Sequence, residues 1–247
     1  MKRAILDRLQ RARAEKRAAA LVTHLGDGRQ RLQLEGESSG DLALTPAQEA
    51  AVTAAVAADR SGPLPDDPGL FVHVYNPPLR LLIVGAVHIS QALVPMAQIA
   101  GYEVVVIDPR KAWANAERFP SVRLVDDWPD EAMTALAPDH RSAVVVLTHD
   151  PKLDDPALRV ALHSPAFYVG ALGSRKTHAK RLARLSDEGL DADDLARIHA
   201  PIGLAIGAKS PAEIAVSILG QITQVLHRVP PLVKQTAPEA APREMAG

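Results

Sequence analysis

Polar side chains directly follow apolar runs at several points in this chain, and some have the chemistry to bind a ligand. His88, three residues after Gly85, has an imidazole that can meet an anionic group or a carbonyl beside the free amides of a helix start. The alternative is a neutral histidine that caps the helix. Asp108 follows Gly85 close to the ~20-residue spacing expected of a ribose-binding acid, and Arg110 could favour a 2′-phosphate. This group of residues predicts a ligand crevice.

A second polar group, residues 148–152, follows the apolar run 143–147. The chain contains no G-x-S-x-G nucleophile elbow, so this group is not part of a serine-hydrolase triad, and we assign no catalytic residue. Asp150 precedes Pro151, which favours an extended backbone, and its carboxylate can then point into a crevice beside His149. The alternative is that Asp150 begins a turn into the next helix.

The segment 170–178 has the residue types of a phosphate-binding loop. Gly170 and Gly173 free the backbone for a tight loop, and Ser174 can N-cap the next helix. Arg175 places positive charge at that helix N-terminus, where it opposes the helix dipole unless an anion binds. Phosphate is the natural candidate. The alternative is an ordinary strand-to-helix turn with basic residues on its surface.

A fourth segment, residues 201–213, has two glycines followed by a capping box of Ser210 and Glu213. Pro211 fits the first helical position between them. Capping explains Glu213 fully. We keep it as a candidate ligand residue only because the loop before it should line the same crevice.

These segments need a scaffold, and residues 79–110 provide its centre. Residues 81–84 are an unbroken apolar run typical of a buried parallel strand, residues 88–100 have helical periodicity, and residues 104–107 form a second β-branched strand. This βαβ unit places ligands beyond the carboxyl ends of its strands. Of the glycines in a G-x-G-x-x-G fingerprint only Gly85 is present, because Val87 and Ser90 occupy the other places. The pattern predicts a Rossmann-like layer and disfavours an NAD(P) site.

The rest of the chain extends this layer at both ends. We predict an α/β protein: a Rossmann-like parallel sheet with helices on both faces over residues 79–229, preceded by a small α+β domain over residues 1–78, and followed by a disordered tail over residues 230–247. In the small domain we expect a helix over 1–20, a hairpin of strands 20–24 and 30–34, a helix after Thr45 to residue 59, a linker over 61–69 and an edge strand over 71–75. In the larger domain we expect further strands over 122–125, 143–147 and 167–169, and helices over 130–136, 154–162, 175–185, 192–198 and 210–226.

Composition narrows the classes of function. The net charge of −1 gives no pull toward nucleic acid, and 3% aromatic residues disfavour a base-stacking surface. There is no cysteine, which excludes disulfides, thiolate metal sites and cysteine nucleophiles in these 247 residues. No apolar run reaches the ~18 residues of a membrane span, and the basic start lacks the apolar core of a signal peptide. We therefore expect a cytoplasmic protein with no membrane span, and alanine-rich faces over 47–58 and 214–226 suggest a homodimer.

Together these motifs resemble the XdhC/CoxI family, whose members are accessory factors for molybdenum hydroxylases such as xanthine and carbon monoxide dehydrogenases. The resemblance covers about residues 79–226 and rests on six ordered stretches: Gly85-x-x-His88, Asp108-Pro109-Arg110, and residues 117–120, 147–158, 168–182 and 201–219. Two departures are Val87, where the family usually has glycine, and the absence of the family's usual amino-terminal cysteine and glycine-serine segment.

The resemblance implies a domain that holds molybdenum cofactor (molybdopterin) while a terminal sulfido ligand is installed, and then delivers it to an apo molybdenum hydroxylase. A cysteine desulfurase or sulfurtransferase would be a further partner. The cofactor phosphate would lie at residues 170–175, and its pterin or dithiolene end would approach His88 and Asp150. Two other hypotheses remain open: an NAD(P)-dependent oxidoreductase with Asp108 on the ribose, and a scaffold that only bridges a sulfurase and an apoenzyme.

Overall fold

The computed structural model describes residues 2–228, so the predicted tail over residues 230–247 lies outside the described residues. The chain divides into two compact units, the first ending at Pro78 and the second beginning at Leu79. None of the helices in the described part of the chain is long and apolar enough to cross a membrane.

The first unit is a five-stranded antiparallel sheet with a helix on each face. Successive residues of a strand point to opposite faces: Ala19 and Leu21 pack with α1, whereas Ala20 and Val22 pack with α2. The strand order is β3-β2-β1-β5-β4. The elements are α1 (Arg3–Ala14), β1 (Ala19–His24), β2 (Gln30–Leu34), β3 (Glu37–Gly40), α2 (Pro46–Ala57), β4 (Gly62–Leu64) and β5 (Asp67–Tyr75).

Three predictions for this unit are wrong. The first helix ends at Ala14 rather than at residue 20, because Ala19 already pairs with β2 and β5. The supposed linker over 61–69 contains β4 and the start of β5. Pro63 of β4 is tolerated because β4 is an edge strand. The strand that contains residues 71–75 is internal, between β1 and β4, and is not an edge strand.

The second unit is a six-stranded, fully parallel sheet in the order β11-β10-β9-β6-β7-β8. The chain starts in the middle at β6, moves outward through β7 and β8, and then returns to β9 to build the other half. This is the doubly wound Rossmann order, which confirms the predicted fold class. The elements are β6 (Arg80–Val84), α3 (His88–Ile99), β7 (Glu103–Ile107), β8 (Arg123–Val125), α4 (Pro129–Leu136), β9 (Ser142–Val146), α5 (Pro151–Leu162), β10 (Tyr168–Ala171), α6 (Arg175–Asp187), α7 (Ala192–Ala196), β11 (Ile198–His199) and α8 (Pro211–Leu226).

Helices cover both faces of this sheet. Leu81 and Ile83 of β6 face the layer formed by α3 and α8, whereas Leu82 and Val84 face the layer that includes α4, α5 and α6. All four side chains are fully buried, which explains the unbroken apolar run in the sequence.

The strand order reverses between β6 and β9, which are hydrogen-bonded neighbours. A crevice opens at such a switch point, beyond the carboxyl ends of the two strands. Residues 85–88 follow β6 and residues 147–150 follow β9, so the sheet brings two of the predicted segments to one place.

Candidate functional site

Gly85 lies where the two walls of the crevice touch. Its φ of +111° is a conformation that side chains rarely adopt, and a Cβ atom there would lie 2.7 Å from the Cγ2 methyl of Thr148. Its backbone N–H donates to the carbonyl of Ile107 at 2.9 Å. Glycine is therefore required by close packing between the loops after β6 and β9.

Asp108, the predicted ribose-binding acid, is 1% exposed, and its carboxylate accepts hydrogen bonds from Ala86 and Arg110. Its carboxylate accepts from the Ala86 N–H at 2.8 Å and from the Arg110 backbone N–H at 3.0 Å. The Arg110 side chain adds Nε at 2.9 Å and Nη2 at 2.8 Å. Burial raises the pKa of Asp108, but the hydrogen bonds from Arg110 and Ala86 outweigh it, so the pKa lies below its ordinary value. In this arrangement the carboxylate ties together the loops after β6 and β7.

His88 is exposed at the start of α3 and has no side-chain partner among residues 2–228. The alternative in which it caps the helix is wrong, because Val87 is the N-cap residue and no side chain caps this end. The imidazole is therefore free to contact a ligand.

His149 and Asp150 form the opposite wall, and both are exposed. His149 has a φ of +64°. Asp150 is the N-cap of α5, where its carboxylate accepts from the Lys152 N–H at 3.0 Å, so the alternative, in which Asp150 begins a turn into the next helix, is confirmed. The helix consequently begins at Pro151, and the predicted start at residue 154 is wrong. The pKa of Arg110 is raised first by its hydrogen bond to Asp108 and further by the charges of Asp108, Asp150 and Asp154.

A buried ion pair lies below this wall. Asp154 is 1% exposed and accepts the Thr148 hydroxyl at 2.6 Å and Arg181 Nη2 at 3.2 Å. Burial raises the pKa of Asp154. Arg181, itself 2% exposed, also donates to the Leu172 carbonyl at 3.0 Å.

A cleft of about 300 Å³ opens between the start of α5 and α6. Four of its residues are lysines or arginines, and all four lie on α6. The lining is His149, Pro151, Lys176, Thr177, Lys180, Arg181 and Arg184. The arrangement is suited to an anion.

The predicted phosphate loop borders this cleft only in part. Ser174 is the N-cap of α6, accepting from the Thr177 N–H at 3.1 Å, as predicted. Gly173 has a φ of +142°, and a Cβ atom there would lie 3.1 Å from Thr177. Arg175 is exposed at the first helical position and does not line the cleft.

Gly170 and Glu213 have structural explanations. Gly170 lies inside β10 rather than in the loop, and a Cβ atom there would come within 2.6 Å of Ile202 and 2.7 Å of Tyr168. Glu213 completes the predicted capping box: its carboxylate accepts from the N–H groups of Lys209 at 2.8 Å and Ser210 at 2.9 Å, which lower its pKa. Within residues 2–228 no group of three or more His, Asp or Glu residues could hold a metal ion.

Comparison with known families settles the assignment of the second unit, because residues 81–222 match the family described as the XdhC Rossmann domain. The chain belongs to the XdhC family. The matched range contains the crevice and the cleft, so both are features of this XdhC domain.

Curated relatives of this XdhC chain include two proteins of Escherichia coli (strain K12) and one of Bacillus subtilis (strain 168). "Uncharacterized protein YqeB" is 32% identical over 161 residues, covering 65% of this chain and 30% of its own length. "Molybdenum cofactor insertion chaperone PaoD" is 30% identical over 155 residues, covering 62% and 42%. The B. subtilis protein, named as a probable xanthine dehydrogenase subunit, is 30% identical over 161 residues, covering 65% and 47%. The chain thus spans less than half the length of these relatives.

A solved structure is also similar to this XdhC chain. The crystal structure of a xanthine dehydrogenase from Bacillus halodurans matches with a TM-score of 0.72 and 25% identity, covering 92% of this chain and 67% of that one.

Two arginines of the XdhC domain were missed at the sequence level. Arg118 donates to the carbonyls of Ala86 at 2.9 Å and Trp113 at 2.7 Å and to Gln91 Oε1 at 3.0 Å, which fixes the loop after β7 against the crevice. It belongs to one of the stretches that carry the family resemblance, and this was the available signal. Arg181 also belongs to one of these stretches, residues 168–182, but it sits mid-helix in a basic sequence, where nothing local distinguishes it from a surface residue.

Proposed function

We propose that this chain binds molybdenum cofactor and assists its insertion into a molybdenum hydroxylase of the xanthine dehydrogenase type. The observation that carries the proposal is the match to the XdhC domain, together with a relative named as a molybdenum cofactor insertion chaperone and another named as part of a probable xanthine dehydrogenase. Carbon monoxide dehydrogenase is a further client that the family resemblance implies.

The residues present fit such a cofactor. The exposed imidazoles of His88 and His149 and the Asp150 carboxylate are hydrogen-bonding groups that surround one crevice. The cofactor has a phosphate as well as a pterin, and the basic cleft adjoins the crevice through His149. Bound there, the cofactor supplies the molybdenum centre, while the chain's own side chains bind and orient it.

Sulfuration is part of the proposal and requires a partner. The 247 residues include no cysteine, so they cannot form a persulfide that would carry sulfur to a metal. A cysteine desulfurase or sulfurtransferase must therefore deliver the sulfur while the cofactor is held. The role of this chain is then to hold and present the cofactor.

The competing function, NAD(P)-dependent oxidoreduction, has weaker support. A ribose hydroxyl would have to displace Arg110 or Ala86 from Asp108, whose oxygens already accept four hydrogen bonds. Val87, a β-branched residue, also occupies the place of the fingerprint's second glycine, where the backbone must approach a pyrophosphate.

The test is reconstitution of an apo molybdenum hydroxylase with cofactor and a sulfur donor, with and without the chain. We expect the wild-type chain to raise hydroxylase activity, and His88→Ala and Asp150→Asn to reduce that gain. Asp150→Asn removes the charge but keeps an oxygen that caps α5, so its fold should be preserved. Absence of cofactor binding, or robust NAD(P)H turnover by the wild type, would contradict the proposal.

A further inference from the structure

Arg181 is unusual among the arginines of the second unit because most of its hydrogen-bonding capacity is buried and unused. Its Nη2 atom donates to Asp154 and to the Leu172 carbonyl. Nε and Nη1 are buried without a hydrogen-bond partner among residues 2–228, and Nε lies 3.9 Å from Oδ1 of Asp155. Buried guanidinium N–H groups are normally paired. Arg181 is one of the residues that line the cleft, so an acceptor bound there would lie beside the buried guanidinium.

The cleft also has more positive than negative charge. The acids that face Arg181 and Arg184 are Asp154 and Asp155, and each is already engaged: Asp155 accepts Arg184 Nε at 2.6 Å. Lys176 and Lys180 have no carboxylate within 4.0 Å in the described chain. They are four residues apart on one helix face, where like charges repel, and Lys176 lies in the first turn of α6, where the helix dipole disfavours cations. The ammonium groups of the two lysines are therefore available to bind an anionic ligand.

We infer that this cleft is an oxyanion site that takes a phosphoryl group, with Arg181 as its central donor and Lys176 and Lys180 at its mouth. A phosphoryl group offers several charged oxygens, which matches a planar guanidinium and two ammonium groups better than a single carboxylate does. The inference rests on the proposed function for the identity of the rest of the ligand, namely the molybdenum cofactor whose phosphate would occupy the cleft.

This site differs from the loop predicted from sequence. A Cβ atom on Gly173 would lie 3.8 Å from Arg181 Nη1, so the guanidinium lies beneath the predicted loop. Arg175, the expected phosphate ligand, is outside the cleft. The phosphoryl group therefore binds between α5 and α6 rather than at the first residue of α6.

The test uses pyrophosphate and inorganic phosphate as probes on the full chain, by calorimetry and by backbone amide NMR at constant ionic strength. We expect saturable binding of pyrophosphate, with shifts concentrated at residues 173–184. Lys176→Ala/Lys180→Ala should weaken binding at least tenfold. Arg3→Ala/Arg11→Ala removes the same charge from the exposed side of α1 in the first unit and should leave binding unchanged. Arg181→Lys keeps one charge but not the planar donors, and should weaken binding with the amide spectrum otherwise preserved.

Binding equal in the cleft variant and the control, or pyrophosphate binding no tighter than chloride or citrate, would overturn the inference. Reconstitution separates it from the proposed function. If pyrophosphate binds in the cleft but the chain does not activate the hydroxylase, the proposed function is contradicted and the phosphoryl site is still supported. If Lys176→Ala/Lys180→Ala activates the hydroxylase fully and the wild type does not bind phosphate, the phosphoryl site is contradicted and the proposed function is still supported.

Discussion

Arg110 donates two parallel hydrogen bonds to Asp108, from Nε to Oδ1 at 2.9 Å and from Nη2 to Oδ2 at 2.8 Å. The Asp108 side chain is fully buried, whereas that of Arg110 is 38% exposed. The same carboxylate also accepts the Ala86 N–H, so one side chain joins the loops that follow β6 and β7. Such a fork is geometrically specific, which fixes the orientation of both loops.

We expect Asp108→Asn to destabilise the second unit by ~2–4 kcal/mol at pH 7, because it replaces a buried charged acceptor of hydrogen bonds that are worth ~1.5–3 kcal/mol each. The folded-state pKa of Asp108 is lowered, so its contribution is complete above the unfolded pKa of ~3.9 and is lost as pH falls through the folded pKa. Urea unfolding of both proteins between pH 7 and pH 3 should show the difference shrinking in the acid range. A constant difference would contradict this account.

Gly85→Ala should destabilise the protein by ~1–3 kcal/mol, because the new methyl group would lie 2.7 Å from Thr148 Cγ2. Adding Thr148→Ser removes that methyl group, keeps the hydroxyl and should restore part of the loss in thermal unfolding. Gly101→Ala is the matched control, since Gly101 has a φ of +89° with nothing within 4 Å and reports backbone strain alone. If Gly85→Ala lowers the free energy of unfolding no more than Gly101→Ala does, the close contact with Thr148 does not contribute to the destabilisation.

Removing either partner of the buried pair Asp154 and Arg181 should be costly. Asp154→Ala removes the carboxylate that accepts a hydrogen bond from the buried guanidinium and from the Thr148 hydroxyl, and we expect a loss of ~3–5 kcal/mol. The double variant Asp154→Leu/Arg181→Met removes both charges at similar volume and should be less destabilised than Asp154→Ala. Denaturant unfolding of the singles and the double measures this, and additive losses would show that the two charges are independent.

The homodimer through the alanine-rich faces over 47–58 and 214–226 remains a prediction, and the second of these faces lies on α8. The inner side of α8 is buried at Ala215, Ile218 and Ile222, while Val216 on the same helix is 51% exposed. Light scattering at micromolar concentration should give twice the chain mass of 26.4 kDa. Val216→Glu should shift the protein to monomers, whereas Ile99→Glu, at a position 89% exposed on α3, should not. A wild-type mass of one chain would contradict the prediction.

Short sequence patterns predicted the elements that are determined by residues close together in the chain. The strand 81–84 and the caps at Thr45, Ser174 and Ser210 follow from short-range patterns, and the structure contains them.

The errors arose where tertiary pairing overrides local preference. Residues 61–69 have the composition of a loop, yet residues 62–64 form an antiparallel edge strand that pairs with β5. Asp154 and Arg181 are 27 residues apart on different helices, so only the packing of α5 against α6 makes them a pair. For the same reason the cleft could not be located from the spacing of its cations.

Thr148 contacts both of the proposed binding regions of this domain, the crevice and the cleft. Its methyl group packs against Gly85 at the crevice, and its hydroxyl donates to the same Asp154 that receives Arg181 from the cleft. A displacement of this one side chain therefore alters the wall of the crevice and the anchoring of the guanidinium together. A ligand long enough to span the crevice and the cleft would therefore contact two surfaces that share one supporting side chain. A substitution of Thr148 would change the contacts at both ends of such a ligand.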